Sequence, residues 1–310
     1  MFVHNVTLST PVNRKSLILL ARLISSTVAS VVKNRFIILP ENSIVKFRRL
    51  RKALLLSAFF VACHLSFPVH SQPPENCPSF ISSETAFIRY VHDGDTVHLS
   101  DSRKVRLIGI DTPELARKTR YQLQPEQAFA KEARDYVRDL IKQLGNQVKL
   151  MPGTEPADKY NRQLFHIQLS DGSLLQTRLL NAGLAVAYTT PPNQKFSQCY
   201  LQQESAAKTK QIKIWRHSKY KNIAVNELSP KNKGFHIIRG RVRHIGESKK
   251  AFWINFQGNF SARISKSDLK YFTYPLQTLV GKTITVKGWI RHYKNKAQIS
   301  LRHPSAIEQR

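Results

Sequence analysis

Cysteine is scarce in this chain, with only Cys63, Cys77 and Cys199 among 310 residues. This number excludes a small scaffold held by many disulfides, and the wide spacing excludes a cysteine-ligated zinc cluster. The eleven histidines are scattered; His92 and His98 flank an acidic turn and are more typical of a strand surface than of a metal site. The sequence leaves open whether Cys77 and Cys199 form one disulfide or remain two free thiols.

Long apolar runs are also missing. The apolar segment over residues 53–61 is shorter than the ~20 residues that a membrane-spanning helix needs. It follows the basic residues 46–52 and precedes a small-residue cleavage site, which is the order of a secretory signal peptide. We therefore predict a signal peptide over residues 45–71 and a secreted or periplasmic protein. The alternative is a lipid anchor on Cys63, because residues 60–63 are close to a lipoprotein box.

Methionine occurs only twice, as Met1 and Met151, so no internal methionine can start the chain at the predicted signal peptide. Residues 1–44 are then either an over-extended reading frame, with Val45 as the true start, or a leader segment. Both interpretations leave residues 1–44 out of the fold. Residues 72–84 become a lead-in to the first folded domain.

Acidic side chains are few compared with basic ones. The chain has 20 Asp and Glu and 49 Lys and Arg, which give a net charge of +29. The excess predicts a polyanionic partner such as nucleic acid; the alternative is a solvated or membrane-facing basic surface. The charge is uneven: residues 231–310 hold 17 basic and 3 acidic side chains, whereas residues 72–230 hold 22 and 16. A concentrated basic segment is typical of a binding module attached to another domain.

Apolar periodicity predicts five strands and three helices in the first folded part of the chain. Pro125 suits the first turn of a long helix, and Gly183 suits the end of a short one. These elements predict a β-rich α+β domain over residues 85–220, a barrel packed with helices. The predicted strands are 85–91, 96–99, 104–110, 148–151 and 164–169, and the predicted helices are 125–144, 174–181 and 197–209.

The basic C-terminal part is also rich in strands, and it follows a predicted linker over residues 221–233. It predicts a second, smaller barrel over residues 234–306, with strands at 236–242, 251–256, 261–264, 283–290 and 298–302. Basic groups interleave with aromatic ones here, a pattern of single-strand binding surfaces. Strand alternation nevertheless places at least half of these aromatic side chains in a core. The full set is Phe252, Trp253, Phe256, Phe260, Tyr271, Tyr274, Trp289 and Tyr293.

Five charged side chains of the first domain carry the groups needed to cleave a phosphodiester. A phosphodiester repels nucleophiles, so cleavage needs cations around the developing charge and an activated water. Asp95 and Asp111 offer hard oxygen ligands at strand-to-turn positions, suited to calcium or magnesium. Glu114 is placed to act on a water as general base. Arg106 and Arg162 are two-pronged donors that match phosphate oxygens.

Together with their surroundings, these residues resemble the staphylococcal nuclease (thermonuclease) family over residues 85–216. The resemblance implies an OB-fold five-stranded barrel with three helices. It also implies a calcium-dependent (Ca2+) nuclease that cleaves DNA and RNA at the 5′ P–O bond and leaves 3′-phosphate ends. The matching segments keep the family order and are residues 93–96, 106–114, 124–126, 158–162, 181–185 and 214–215.

The resemblance assigns the metal site and the base. Asp95, Asp111 and the main-chain carbonyl of Thr112 stand at the calcium-ligand positions, and Glu114 stands at the general-base position. One departure lies near the second arginine, where Asn161 replaces the usual glycine. Asparagine also enters left-handed turns, so this replacement is compatible with the site.

The resemblance likewise assigns the groups that meet the substrate. Arg106 and Arg162 stand at the two phosphate-binding positions that stabilise the five-coordinate transition state. Tyr160, Lys159 and Tyr188 are the predicted substrate-binding residues.

The C-terminal part resembles OB-type nucleic-acid-binding domains in residues 287–290 and 299–304. Two interpretations follow. The first is an exported calcium-dependent endonuclease whose basic domain holds DNA and/or RNA, with single strands favoured. The alternative is a non-catalytic nucleic-acid-binding protein of two OB barrels. A degenerate site should lack a carboxylate or an arginine, and the complete set in this chain favours the enzyme.

Overall fold

The computed structural model describes residues 77–118, 123–293 and 296–309. The predicted leader, the predicted signal peptide and Cys63 lie outside these residues. The described residues all belong to one compact unit. None of the helices in this part of the chain is long and apolar enough to cross a membrane.

Five strands close into a first barrel, because their alternating apolar residues share one interior. The barrel order is β1-β2-β3-β8-β7; β1 pairs with β7, and β3 runs parallel to β8. This is the OB-fold barrel that the family resemblance implies. Strands β1–β9 are Glu84–Val91, Thr96–Leu99, Lys104–Leu107, Ile110–Asp111, Arg117–Lys118, Leu123–Gln124, Gln147–Ala157, Gln163–Gln168 and Val186–Ala187.

Three helices accompany the first barrel: α1 (Ala130–Leu144), α2 (Leu175–Asn181) and α3 (Ser197–Thr209). Helix α3 has the predicted bounds, and α2 begins one residue later than predicted. The prediction that the first helix begins at Pro125 is wrong. Phe129 has a left-handed backbone with φ of 69°, and the helix begins only after it.

The third predicted strand, 104–110, is interrupted. Strand β3 ends at Leu107 and β4 begins at Ile110, because Gly109 between them has φ of 81°. A Cβ atom at Gly109 would also lie 2.7 Å from the Tyr200 ring, so the position requires glycine. The turn redirects the chain to β4, where Asp111 pairs with β9.

The C-terminal residues form a second barrel with the strand order of the first. Its order is β11-β12-β13-β15-β14, closed by β11 with β14, and β13 runs parallel to β15. The predicted second, smaller barrel is thus confirmed. Strands β10–β16 are Asn222–Ala224, Gly234–Glu247, Ala251–Phe256, Phe260–Ser265, Thr283–Tyr293, Lys296–Ser300 and Ile307–Gln309.

The segment predicted as a linker takes part in the second barrel. Strand β10 pairs with β11, and Val225 is buried in the second core. Phe256 and Phe260 are buried in the same core, and Phe252 and Tyr274 pack against it. At least half of the eight aromatic side chains therefore serve the core, as strand alternation predicts.

Helix α3 lies between the two barrels and contacts both. Ala207 of α3 packs with Trp215 and with Phe235 of β11 in one apolar cluster. Glu204 of α3 forms an ion pair with Lys287 of β14, and both side chains are buried. Helix α3 therefore packs on the second barrel through contacts that are both apolar and charged.

A disulfide joins Cys77 to Cys199 of α3. It ties the lead-in segment to the helix between the barrels. Of the two alternatives that the sequence leaves open, a disulfide or two free thiols, the structure has the disulfide.

His166 is a buried side chain of β8 that makes the fold sensitive to acid. Its Nδ1 lies 2.7 Å from the hydroxyl of Tyr200, and the residue is 3% exposed. Burial, and then the charge of Lys195, lower the pKa of His166 from 6.5 to about 3. Because the pKa falls on folding, the contribution of neutral His166 to stability is complete above pH 6.5 and is lost as the pH falls toward 3.

We expect His166→Gln to flatten the acid dependence of the unfolding free energy. Near pH 4, the cost of keeping His166 neutral is on the order of 3 kcal/mol. Denaturant titrations across the acid range, with wild type and variant in parallel, measure this slope. A variant that loses stability as steeply as the wild type would show that another group carries the acid sensitivity.

Candidate active site

Asp95 lies in the tight turn between β1 and β2. Its backbone N–H donates to Asp93 Oδ1 at 3.0 Å, and its own Oδ2 accepts from the Thr112 N–H at 2.9 Å and the Thr112 hydroxyl at 3.0 Å. Gly94 allows this close approach, because a Cβ atom there would lie 2.8 Å from both Ala133 and Thr112. The turn, α1 and the segment after β4 are thereby held around the Asp95 carboxylate.

Arg106 of β3 bridges the two predicted metal carboxylates. Its Nη1 forms an ion pair with Asp95 Oδ2, and its Nη2 donates to Asp111 Oδ1 at 2.8 Å. Within the described ranges, Nη1 has no well-aligned hydrogen bond. Burial alone would lower the pKa of Arg106, but Asp95 and then Asp111 raise it. The guanidinium therefore stays charged between two carboxylates.

The site holds more negative charge than Arg106 balances. Burial, and then the charge of Asp95, raise the pKa of Asp93 to about 7. Burial also raises the pKa of Asp111 to about 7, with Arg106 opposing the rise and Asp95 adding to it. Partial desolvation, and then Asp95, raise the pKa of Glu114. A bound cation would relieve this repulsion.

Arg162 is held by the turn between β7 and β8. Its Nε donates to Asp158 Oδ2 at 2.8 Å, and its backbone N–H donates to Asp158 Oδ1 at 3.0 Å. Its Nη1 lies 3.4 Å from the hydroxyl of Thr96 in β2. Asn161 has φ of 61°, so it keeps the left-handed conformation expected where the family has glycine. The turn thus directs the guanidinium toward the Asp95 segment.

The three predicted substrate-binding residues lie close to these groups. The Tyr160 ring is 66% exposed, and Lys159 Nζ lies 4.9 Å from its centroid. Tyr188 follows β9, and its N–H donates to the Gly109 carbonyl at 2.9 Å. Burial, and then Asp111, raise the pKa of Tyr188 to about 12, so its hydroxyl stays protonated and can donate.

An open cavity of about 460 Å³ gathers most of the predicted site. Asp95 lies buried beside Arg106, with Thr112 bonded to it. Glu114 is exposed, and its carboxylate is within electrostatic reach of Asp95 and Arg106. The predicted residues in the cavity wall are Arg106, Asp111, Lys159, Tyr160, Arg162 and Tyr188.

The predicted calcium ligands form a partial coordination set. Asp95 and Asp111 present carboxylate oxygens to the same guanidinium. In the part of the chain that the structure describes, no group of three or more His, Cys, Asp or Glu side chains is arranged to hold a metal. A cation would therefore combine these two carboxylates with main-chain and solvent oxygens, as calcium does. The oxygen donors fit a hard cation and not a thiophilic one.

Three side chains at the site were not predicted from the sequence as site residues. Lys219 is close enough to Asp111 and Glu114 for their charges to interact. Trp289 and Arg302, both from the second barrel, line the same cavity as Arg106. Trp289 and Arg302 stand in the segments 287–290 and 299–304 that resemble OB-type nucleic-acid-binding domains, but that resemblance does not direct them to this cavity, and Lys219 is one of many basic residues.

Comparison with known proteins gives consistent matches. Residues 104–217 match the profile of staphylococcal nuclease homologues. Thermonuclease of Staphylococcus intermedius is 32% identical over 166 residues, which cover 52% of this chain and 94% of that protein. Endonuclease YhcR of Bacillus subtilis (strain 168) is 26% identical over 184 residues, 57% of this chain and 15% of that protein. Endonuclease YncB of the same organism is 33% identical over 132 residues, which cover 41% of this chain and 60% of that protein.

Proposed function

Because the chain belongs to the staphylococcal nuclease family and is a phosphodiester-hydrolysing endonuclease, we propose that it is an exported, calcium-dependent enzyme that cleaves DNA or RNA and leaves 3′-phosphate ends. One observation carries the proposal. Arg106 joins Asp95 and Asp111 at a cavity whose wall also holds Arg162. Carboxylates for a cation and arginines for a phosphate are the groups that this reaction needs.

The two arginines bind and polarise the scissile phosphate. Arg106 lines the cavity between Asp95 and Asp111, so a phosphate oxygen that enters the cavity can accept from its guanidinium. Asp158 holds Arg162 through Nε, Nη2 and the backbone N–H, which fixes the guanidinium in the cavity wall. Two fixed guanidinium groups stabilise the charge that develops on a five-coordinate phosphorus more than they stabilise the ground state.

Glu114 takes the proton from the attacking water. The residue is exposed, so water reaches it, and the raised pKa of its partly desolvated carboxyl makes it a better proton acceptor than an ordinary glutamate. Asp95 and Arg106 act on Glu114 only through their charges. Glu114 is therefore free to change its protonation state during turnover.

Asp95, Asp111 and the Thr112 carbonyl would hold the calcium ion. When bound, calcium supplies positive charge beside the scissile phosphate and so reduces its repulsion of the nucleophile. The raised pKa of Asp111 supports this assignment, because a cation there would favour the charged carboxylate over its protonated form. The Thr112 amide and hydroxyl fix the orientation of Asp95 for this role.

The second barrel, residues 234–306, holds the nucleic acid strand, and residues 85–220 carry the chemistry. Trp253 of β12 pairs opposite Arg263 of β13, and both point away from the core that contains their neighbours Ile254 and Ala262. An aromatic side chain beside a cation suits base stacking and phosphate contact on a single strand. The net charge of this part of the chain supports the same assignment.

Export is supported by the covalent structure. A disulfide between Cys77 and Cys199 is typical of a protein that folds in an oxidising compartment. The signal peptide predicted over residues 45–71 would deliver the chain there. A lipid anchor on Cys63 is the alternative route to the same side of the membrane.

The chemistry of the product ends tests the proposed reaction. A single-stranded DNA labelled at its 5′ end is incubated with the protein and calcium, and the fragments are offered to a DNA polymerase as primers. We expect no primer extension until a phosphatase has removed the 3′-phosphate groups. Fragments that prime directly would carry 3′-hydroxyl ends, and the proposed bond of cleavage would be wrong.

A further inference from the structure

The wall of the active-site cavity is built from both barrels. The first barrel and its loops contribute Arg106, Arg162 and Tyr188, and the second barrel contributes Trp289 of β14 and Arg302. The Trp289 ring packs edge to face on Tyr188, with 4.5 Å between their centroids. A substrate that enters this cavity therefore meets the second barrel as well as the first.

Arg302 is anchored at this wall but not saturated. Its Nη2 donates to the Pro191 carbonyl at 3.2 Å, and its Nε lies 3.5 Å from Asp268 Oδ2. The same Asp268 oxygen accepts from the Ser265 hydroxyl at 2.7 Å, so the carboxylate forms no close two-pronged pair with Arg302. A guanidinium has five N–H donors. Over the described residues, these contacts engage at most two of them, and the side chain is 42% exposed.

The two other cavity arginines have different partners. Arg106 lies between Asp95 and Asp111, and Arg162 is held by Asp158. Both are assigned above to the scissile phosphate. A polynucleotide also carries a phosphate on each side of the scissile one, and a fork-shaped cation at the cavity wall matches the oxygens of such a group.

We propose that Arg302 binds a phosphate that flanks the scissile one, so that the second barrel adds a subsite for polynucleotides to the active-site cavity. This proposal rests on the proposed nuclease function. It assigns Arg302 a role in substrate length selection. Short esters with one phosphodiester cannot occupy the subsite, whereas an oligonucleotide can.

Arg302→Gln is the most informative variant. Glutamine is polar but uncharged, whereas Arg302→Lys keeps the charge, so the two variants together separate phosphate binding from the contact with the Pro191 carbonyl. We expect the ratio of kcat/KM for a single-stranded oligonucleotide to kcat/KM for a dinucleotide to fall about tenfold, because a charge-assisted hydrogen bond is lost. Arg302→Lys should recover part of this ratio, because it keeps the charge but not the fork.

Salt dependence supplies a second readout. Each phosphate contact contributes a slope of about −0.7 to log K against log salt for a single strand. Arg302→Gln should therefore reduce the slope for oligonucleotide binding by about 0.7, while Arg302→Lys should keep it. Arg138→Ala is the matched control, because Arg138 is an exposed arginine of α1 outside the cavity wall.

The outcomes are distinct. A ratio and a slope that fall in Arg302→Gln but not in Arg138→Ala support the subsite. Equal losses on both substrates, or a Gln variant with wild-type ratio and slope, would overturn it and leave Arg302 as an anchor for Pro191. A wild-type protein that cleaves neither substrate would instead refute the nuclease function on which the subsite rests.

Discussion

Arg106→Ala is expected to lower kcat by about 100- to 1,000-fold, the cost of losing one preorganised group that stabilises transition-state charge. The side chain is 14% exposed and forms ion pairs with both Asp95 and Asp111. Its removal takes away a hydrogen-bond donor to the phosphate. It also leaves two carboxylates without the cation that they share. The measurement is cleavage of single-stranded DNA at saturating substrate and calcium, with thermal melting of each variant to show that it is folded.

Two variants control for this result. Arg106→Lys keeps the charge but loses the fork that reaches both carboxylates, so we expect it to remain well below wild type. Arg138→Ala removes an arginine whose side chain is 60% exposed and whose ion-pair partner, Asp135, lies on the same helix. We expect wild-type turnover from it. A folded Arg106→Ala protein with near wild-type kcat would mean that the reaction takes place elsewhere.

Lys287→Met is expected to cost about 3–5 kcal/mol of unfolding free energy, the usual loss when one partner of a buried ion pair is removed. Lys287 and Glu204 are the two halves of such a pair, with side chains 5% and 3% exposed. Glu204 Oε1 also accepts from the Ala187 N–H at 2.8 Å. The variant would leave a buried carboxylate beside β9, the strand that pairs with the Asp111 strand. Denaturant unfolding measures the loss.

Two control variants test whether the unpaired buried charge causes the loss of unfolding free energy. Adding Glu204→Gln to Lys287→Met removes the charge and keeps an oxygen for the Ala187 N–H, so we expect most of the loss to be recovered. Lys208→Met breaks the ion pair with Glu308 across the same interface. That pair is partly exposed, at 26% and 34%, and exposed pairs contribute about 0–1 kcal/mol. Equal losses from Lys287→Met and Lys208→Met would contradict the role assigned to burial.

Much of the first barrel and its chemistry could be predicted because the signals are local. The strand 96–99 and the helix 197–209 have the predicted bounds. Asp95 and Arg162 each lie in a short turn whose own residues fix the side chain, through Asp93 in one case and Asp158 in the other. Local hydrogen bonds of this kind depend on neighbouring residues alone, so the geometry of these turns can be predicted from the local sequence.

Other features depend on contacts between distant segments and were missed for that reason. The first helix begins late because Phe129 takes a left-handed conformation, which an apolar pattern does not signal. Lys287 and Glu204 are buried, although charged residues are usually exposed. Arg302 reaches the cavity only because the second barrel packs against α3 and β9. No periodicity in the sequence encodes that packing.

We propose that calcium-dependent hydrolysis takes place at the carboxylates joined by Arg106. The most direct measurement is cleavage of one single-stranded DNA by wild type and by Asp111→Ala, each with calcium and with a chelator. We predict cutting by the wild type with calcium and in none of the other three conditions. Tight DNA binding by the wild type without cutting, with or without calcium, would contradict hydrolysis at this site and favour a non-catalytic protein of two barrels.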